Sequence, residues 1–411
     1  MKKFKKTIKL TLSALLALCI LFLMSACANG DSQPEQFQAT EQTTVQPTTM
    51  LEEEINDQKL DRFISNMKLE EKVGQMFFVR CPDEDAVQQV REYNIGGYIL
   101  FGRDFDGKTK DEVINCIQSY QDEADIPLLI GVDEEGGTVV RVSSNPNLRE
   151  APFLSPKDTY ADGGWDAVKQ DAEEKADLLL SLGINVNLAP VCDMTSDEYG
   201  FMYDRSFSSD VDMENRFVRT VVETSKSKKL GTVLKHFPGY GNNSDTHTGI
   251  AYDDRDYSEF ENTDFKPFYQ GIESGADCIL VSHNIVNCMD SEYPASLSQK
   301  VHDILRNNFR FDGVIMTDDL IMDAITDFTG DEAAAVTAAK CGNDLLCCSS
   351  VDTQYPAVLE AVQSGKIPEA QVDASVKRIL KWKQNLGIFN IDTYQKKVKS
   401  TETTDTVGSE E

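Results

Sequence analysis

The sequence predicts an α/β fold, a (β/α)8 TIM-type barrel that forms a single catalytic domain. From about residue 58 onward, short apolar runs alternate with longer amphipathic segments. Eight such runs occur, which is the number of strands in this barrel. Residues 58–393 have the size expected of the barrel with loop insertions, and the sequence contains no internal repeat that would indicate another architecture.

The eight apolar runs predict buried parallel strands, because a barrel strand is covered on both faces and is therefore apolar along its length. In chain order they are GQMFFV, GGYILF, PLLIGV, INVNLAP, GTVLK, DCILVS, GVIMT and DLLCC. Apolar residues at helical spacing predict helices in DEVINCIQSYQDEA, WDAVKQDAEEKADLLLSLG, MENRFVRTVVETSKSKK and SQKVHDILRNNF. A last helix, VDASVKRILKWKQNLG, is expected to pack on the outside of the barrel.

The N-terminus predicts an exported protein with a lipid anchor. Residues 1–26 combine a basic start with an apolar run of signal-peptide length. The run ends in MSAC, which resembles the lipobox of bacterial lipoproteins and implies cleavage before Cys27 and lipid attachment to its thiol. The alternative is an uncut membrane helix. In either case we expect the domain to be extracytoplasmic and tethered to the cell membrane.

Polar composition predicts a flexible stalk over residues 27–57 and a disordered tail over residues 394–411. The formal net charge is −29, and removal of the five lysines in residues 1–26 brings it to about −34. Such an acidic surface repels phosphate backbones, so we expect no nucleic-acid partner. The ten cysteines include no CxxC motif, and we expect mostly free core thiols, no metal site, no cofactor and a monomer.

Residues of the types used in catalysis follow several of the apolar runs. In chain order these residues are Asp133, Asp193, Lys235, His236, His283, Asp318 and Asp319. Each of them alone also fits a strand end or a helix cap. The C-terminal ends of barrel strands, however, meet at one face, where barrel enzymes have their active sites. The pattern therefore predicts an active site at this face.

The stretch KHFPGYGNNSDTHTG, residues 235–249, contains two of the four histidines of the chain. A histidine titrates near neutral pH and can both donate and accept a proton. Asp245 can orient the ring of His247 and stabilise its charged form, as the acid does in a Ser-His-Asp triad. The stretch therefore indicates a general acid/base pair on a glycine-rich loop. The alternative is a surface loop with an ordinary histidine.

This stretch also resembles the signature of glycoside hydrolase family 3, in its β-N-acetylhexosaminidase branch. Four further motifs agree in the same order, GVDEEGGTVVRV, NVNLAPVCDM, DRSF and FDGVIMTDDLIMDAI, and together they extend over roughly residues 60 to 390. The resemblance implies a retaining, exo-acting β-N-acetylglucosaminidase that hydrolyses terminal β-linked N-acetylglucosamine from glycans or peptidoglycan fragments. The sequence departs from the branch at Tyr240, where histidine is usual.

The resemblance implies the roles of the catalytic side chains. Asp318 is expected to be the nucleophile that forms a covalent glycosyl-enzyme, and Asp319 is the competing candidate. His247 is expected to be the acid/base, with Asp245 as its partner. Two groups, one that attacks the anomeric carbon and one that transfers protons, are what retaining hydrolysis requires.

The resemblance assigns sugar binding to Asp133, Arg205, Lys235 and His236. Arg141 and His283 are weaker candidates, because Arg141 also fits a residue that supports the wall and His283 a satisfied histidine near the rim. The two tryptophans, Trp165 and Trp382, lie on predicted helices. A long aromatic-lined cleft is therefore not expected, and a pocket for one terminal sugar is favoured.

Other functions remain open at this point. Within the family, a β-glucosidase-like or phosphorolytic enzyme is possible. From a different class, a metal-dependent barrel hydrolase would use the side chains His236, His247, His283 and Asp318, although no HxH pair occurs. The leader alone would also fit a lipid-anchored solute-binding protein, which would bind sugar without turnover.

Overall fold

The computed structural model describes residues 47–243, 246, 249–329 and 331–394. The predicted signal peptide, Cys27, the first part of the predicted stalk and the tail beyond residue 394 lie outside the described residues, as do Asp245 and His247. No helix in the described part of the chain is both long and apolar enough to cross a membrane.

Eight parallel strands form one sheet that curls into a barrel. In chain order the strands of the structure are β1 Phe77–Arg80, β2 Gly97–Leu100, β3 Leu129–Val132, β4 Val186–Asn187, β5 Gly231–Phe237, β6 Tyr252–Asp253, β7 Cys278–Val281, β8 Ile285–Val286, β9 Val314–Thr317 and β10 Leu346–Cys348. The sheet has the order β10-β1-β2-β3-β4-β5-β7-β9, with all of its strand pairs parallel. A bridge between Met316 and Leu345 joins its two ends. The predicted fold class is confirmed, and each predicted strand is present.

Helices connect the strands. They are α1 Pro47–Ser65, α2 Leu69–Gln75, α3 Ala86–Tyr93, α4 Lys110–Glu123, α5 Pro156–Ser181, α6 Val211–Ser227, α7 Tyr257–Asn262, α8 Phe265–Glu273, α9 Gln299–Asp303, α10 Asp323–Thr329, α11 Asp331–Cys341, α12 Val351–Gln363 and α13 Glu369–Asn385. The five helices predicted from the sequence correspond to α4, α5, α6, α9 with the π-helical turn Ile304–Asn308, and α13. The strands β6 and β8 pair with each other outside the barrel. They escaped prediction because two residues are too few for a periodic pattern.

Helix α1 overlaps the segment that was predicted as a stalk. It begins at Pro47, so residues 47–57 are helical. The composition of this segment is polar, but Leu60 and Ile64 are four residues apart and both are buried. Residues at this spacing lie on one face of a helix, which stabilises the helix by packing.

The interior of the barrel is filled by side chains. Gly131 on β3 leaves room for the rings and branches of its neighbours, because a Cβ at this position would lie 2.5 Å from the ring of Phe78 and 3.0 Å from Leu188. A filled interior is typical of this barrel and leaves the C-terminal face as the place for a site.

Candidate active site

A cavity of about 310 Å³ lies at the C-terminal ends of the barrel strands. Ile99, Leu280 and Cys347 line it from within strands β2, β7 and β10, and Leu188 lines it directly after β4. These four side chains form an apolar floor. Charged and polar side chains surround this floor: Arg80, Asp133, Glu135, Arg141, Arg205, Lys235, His236, Asp318 and Asp319. The five predicted site residues that the structure describes therefore lie together in this cavity.

Two cations and two carboxylates form a buried ion-pair network on one wall. Lys235 Nζ lies 2.6 Å from both Asp133 Oδ1 and Glu135 Oε1. Arg205 donates to both oxygens of Glu135, at 3.0 Å from Nε and 2.8 Å from Nη2. Bidentate pairing of this kind fixes the orientation of both planar groups. The network therefore holds Lys235 and Arg205 in place before any ligand binds.

Electrostatics keep the network ionised. Burial by itself would raise the pKa of Glu135, but Lys235 and Arg205 outweigh it and hold that pKa below its ordinary value. Burial would also lower the pKa of Lys235, but Asp133 and Glu135 raise it above its ordinary value. Opposite charges at hydrogen-bond distance favour the charged forms, and the result is a preorganised set of donors and acceptors suited to sugar hydroxyls.

His236 is held in one tautomer by its neighbours. Its Nδ1 lies 2.6 Å from Asp193 Oδ2, and its Nε2 lies 3.2 Å from Arg205 Nη2. A guanidinium can only donate, so we assign Nε2 as the acceptor and Nδ1–H as the donor to Asp193. Asp193 also accepts the backbone N–H of His236 at 2.9 Å. These contacts fix the orientation of the ring.

The two adjacent aspartates after β9 have different surroundings. Asp318 lines the cavity, and its Oδ1 accepts the backbone N–H of Asp319 at 2.9 Å. The carboxylate of Asp319 instead accepts a hydrogen bond from Ser349 Oγ at 2.5 Å and one from the backbone N–H of Ile321 at 3.2 Å. Burial raises the pKa of Asp319 despite these bonds. Both aspartates line the cavity, and the partners of the Asp319 carboxylate come from neighbouring segments.

Glu135 and the part played by Asp193 were not assigned from the sequence. Glu135 follows Asp133 by two residues, and alternate residues of an extended chain lie on the same side, which is the signal that would have indicated it. Asp193 was noted at a strand end, but its partner His236 lies on another strand. Only the fold brings the two together.

The two weaker candidates, His283 and Arg141, differ in their contacts. The Nε2–H of His283 donates to the carbonyl oxygen of Asp319 at 3.0 Å, and Nδ1 lies 2.7 Å from Ser296 Oγ. Arg141 lines the cavity, and its Nη1 donates to the carbonyl of Val140 at 3.3 Å. Within the described ranges, no group of three or more His, Cys, Asp or Glu side chains is placed to bind a metal. The ring nitrogens of His236 and His283 have hydrogen-bond partners within the protein.

Both tryptophans lie on helices, as predicted. Trp165 on α5 packs against Tyr160 and Phe207, and Trp382 on α13 is buried. Among the described residues that line the cavity, the aromatic one is Phe101. Neither tryptophan is among the described residues that line this cavity.

The sequence matches a family of glycoside hydrolases. Residues 68–382 match the family model described as the glycosyl hydrolase family 3 N terminal domain. A beta-hexosaminidase of Hydrogenovibrio crunogenus is 33% identical over 258 residues, which are 61% of this chain and 71% of that protein. A beta-hexosaminidase of Nitrosomonas eutropha is 31% identical over 267 residues, covering 63% and 75% of the two chains.

Solved structures with the same fold support this match. A glycoside hydrolase family 3 beta-N-acetylglucosaminidase from Paenibacillus sp. str. FPU-7 superposes with a TM-score of 0.73 at 29% identity. That similarity covers 78% of this chain but 63% of the longer Paenibacillus protein. A beta-N-acetylhexosaminidase from Beutenbergia cavernae gives a TM-score of 0.69 at 25% identity, covering 78% and 99% of the chains. From its motifs, its barrel and its relatives, this chain belongs to glycoside hydrolase family 3 and is a glycoside hydrolase.

Proposed function

We propose that this protein is a retaining, exo-acting β-N-acetylglucosaminidase that removes terminal β-linked N-acetylglucosamine from glycans. One observation carries the proposal: Asp318 shares a single cavity with the buried network of Asp133, Glu135, Arg205 and Lys235. A nucleophile of this kind beside fixed hydroxyl-binding groups is what retaining hydrolysis of a sugar requires. The names of the relatives support N-acetylhexosamine as the sugar.

The cavity size supports cleavage at a chain end. Its volume of about 310 Å³ is at the lower end of the range of small-molecule sites and suits one sugar ring. The ion-pair network would bind the ring hydroxyls, with Lys235 and Arg205 donating and the carboxylates accepting. His236 would add a rigid wall beside Arg205.

The proposed reaction has two steps. In the first, the Asp318 carboxylate attacks the anomeric carbon while protonated His247 donates its proton to the leaving oxygen, so that a glycosyl-enzyme and a free alcohol form. In the second, neutral His247 removes a proton from water, and the water oxygen displaces Asp318 from the anomeric carbon. Asp245 would orient the ring and stabilise its charged form. The roles of Asp245 and His247 rest on the sequence motif.

Hydrolysis is proposed as the main reaction, with phosphate as a possible alternative acceptor. A carboxylate base would repel an incoming phosphate at close range, whereas a neutral or protonated histidine would not. The strongly acidic chain and the absence of a Lys or Arg cluster in the stretch Asn242–Ser244 disfavour a strong phosphate site. Turnover with and without inorganic phosphate should give mostly free sugar, and mostly sugar-1-phosphate would contradict this part of the proposal.

We further propose that the enzyme acts outside the cytoplasm as a membrane-anchored lipoprotein and a monomer. The motif MSAC, ending at Cys27 after the apolar run, is the basis for this placement. For an enzyme at the cell surface, peptidoglycan fragments that carry β-linked N-acetylglucosamine are natural substrates.

The central test uses matched aryl β-glycosides and a mechanism-based label. The N-acetylglucosaminide should be turned over faster than the glucoside and the xyloside, and the first-formed sugar should keep its β configuration. A 2-deoxy-2-fluoro or 5-fluoro glycoside should label the peptide that contains Asp318, as located by mass spectrometry. Label on Asp319, an inverted product, or binding without turnover would each contradict the proposal.

A further inference from the structure

Arg80 is a charged residue of the cavity to which the proposed mechanism gives no role. It is the last residue of strand β1, and it lines the cavity together with Phe101. The central carbon of its guanidinium lies 4.5 Å from the centroid of the Phe101 ring. A guanidinium is attracted to the face of an aromatic ring, so this contact restricts where the side chain points.

The guanidinium of Arg80 has no acceptor in the described part of the chain. Its Nε is buried without a hydrogen-bond partner, and the side chain forms no ion pair with any described residue. Acidic residues outnumber basic ones by 69 to 40 in this protein, so a shortage of carboxylates is not the reason. A guanidinium has five N–H donors and is always charged, and leaving such a group unpaired in a cavity is costly. The arrangement therefore indicates a ligand that accepts hydrogen bonds.

Arg80 approaches the cavity from the side opposite the buried ion-pair network. In the closed order of eight strands, β1 and β5 are four strands apart, and β5 carries Lys235. Lys235 is already paired with two carboxylates, whereas Arg80 is not. A sugar ring whose hydroxyls bind the network would therefore present another part of the substrate to Arg80.

We propose that Arg80 is a specificity-determining residue that binds a carboxylate of an acidic saccharide substrate. A carboxylate supplies a negative charge and two acceptor oxygens in one plane, which match the fork of a guanidinium. A neutral hydroxyl or amide would satisfy some donors but would leave the charge without a partner. The inference rests on the proposed function and adds an acidic group to its substrate.

The carboxylate has two sources on such a substrate. It belongs either to the aglycone, as an acidic group on the sugar next to the cleaved bond, or to C6 of the terminal sugar, as in a uronic acid. We favour the aglycone, because the N-acetylglucosamine of the proposed function has a neutral hydroxymethyl group at C6. Both sources use the same chemistry at Arg80, and different substrates distinguish them.

The test is Arg80→Gln, measured as kcat/KM with three aryl β-glycosides. They are 4-nitrophenyl N-acetylglucosaminide, its 3-carboxy-4-nitrophenyl counterpart, and a 4-nitrophenyl glycoside oxidised to a carboxylate at C6. We expect the variant to lose about tenfold or more with the acidic aglycone and less than about twofold with the neutral glycoside. A loss confined to the C6 acid would support the carboxylate site and assign it to the terminal sugar. Equal changes for all three glycosides would overturn the proposal.

The comparison between substrates is independent of how much variant protein folds, because all three are measured on one preparation. The matched control is Arg103→Gln. Arg103 lies directly after strand β2, pairs with Asp83 at 2.8 Å, and is not among the described residues that line the cavity. This control removes the same charge and should leave the ratios between substrates unchanged. An equal loss with the acidic aglycone in the control would attribute the preference to overall charge and would contradict a binding role of Arg80.

Arg80→Lys keeps the charge without the planar fork and should recover part of the preference. If the wild type hydrolyses the neutral glycoside and Arg80→Gln shows no selective loss, the role of Arg80 is wrong and the proposed function stands. If the wild type hydrolyses none of the glycosides, the proposed function fails. Calorimetric binding of the same glycosides then decides on Arg80: weaker binding of an acidic glycoside alone supports the carboxylate site, and an equal change for all of them overturns it.

Discussion

At the scale of single residues, the two adjacent aspartates differ by what surrounds them and not by chemistry. Asp319 is engaged by Ser349 and by the backbone of Ile321, so its carboxylate is tied to the protein. Both carboxylates line the cavity, and the position of Asp318 in the family motif is the basis for proposing it as the nucleophile.

We therefore predict that substitution of the two aspartates reduces activity to different extents. Asp318→Gly should reduce kcat by about 1,000-fold or more, because the attacking group is gone. Added azide should restore turnover of an activated glycoside and give the α-glycosyl azide, since azide can enter from the vacated face. Asp319→Asn should retain much more activity and should not respond to azide. Azide rescue of the Asp319 variant alone would reverse the assignment.

The ionisation of Glu135 links the stability of the folded protein to pH. Its pKa is held below the ordinary value of 4.5, so the folded protein keeps this carboxylate charged where the unfolded chain takes up a proton. A lowered pKa gives stability that is present above the unfolded pKa and is lost as the pH falls.

We predict that the free energy of unfolding decreases as the pH falls below about 4.5, and that Glu135→Gln reduces this dependence. At neutral pH the variant should be less stable by about 3–5 kcal/mol, because two buried cations lose a charged partner. Urea unfolding at several pH values measures both effects. Glu150→Gln, at an exposed position, is the control, and an equal change of slope in that variant would contradict the prediction.

At the scale of elements, the last helix, α13, contains a buried lysine. Lys383 on α13 is fully buried, and its Nζ donates to Gln75 Oε1 at 2.7 Å. Burial lowers the pKa of Lys383 to about 7. The helix therefore packs against the barrel with a lysine that is half neutral at neutral pH.

We predict that this lysine makes the protein more stable as the pH rises above 7. Between its folded pKa and the ordinary lysine value of about 10.4, the unfolded chain binds more protons than the folded protein does, so stability increases by about 2 kcal/mol from pH 7 to pH 9. Lys383→Met should remove this increase and stabilise the protein at pH 7. Urea unfolding at the two pH values is the measurement, with Lys381→Met as the control on the same helix. If the free energy of unfolding still increases from pH 7 to pH 9 in the Lys383 variant, other groups cause the increase.

At the scale of the whole molecule, the proposed anchor and the catalytic barrel are separate features of the chain. The described barrel, residues 54–394, contains the candidate site, whereas Cys27 lies outside the described residues. Catalysis should therefore not depend on the anchor, although cellular location should.

We predict that Cys27→Ala abolishes fatty-acid incorporation in the cell and releases the protein from the membrane fraction. Metabolic labelling with a fatty-acid analogue and cell fractionation measure the two effects. The purified variant should hydrolyse aryl glycosides at the wild-type rate. Continued labelling of the Cys27 variant would show that the lipobox interpretation is wrong.

The sequence by itself determined the barrel and the set of polar residues at its strand ends. Barrel strands are buried on both faces, so each appears as a continuous apolar run, and all eight could be recognised. Asp133, Lys235, His236 and Asp318 were identified because they directly follow such runs. The helix that begins at Pro47 was not recognised because its composition is too polar. The strands β6 and β8 were not recognised because they are too short.

The tertiary structure alone decided how these residues are paired. Lys235 meets Asp133 across 102 positions of the chain, and His236 meets Asp193 from a neighbouring strand, and no local pattern records such contacts. Asp318 and Asp319 are chemically alike and adjacent in the sequence. Ser349 arrives from the end of another strand and binds Asp319, and no local pattern of the sequence indicates this contact. Side-chain direction and long-range partners follow from closure of the barrel, and closure is a property of the whole chain.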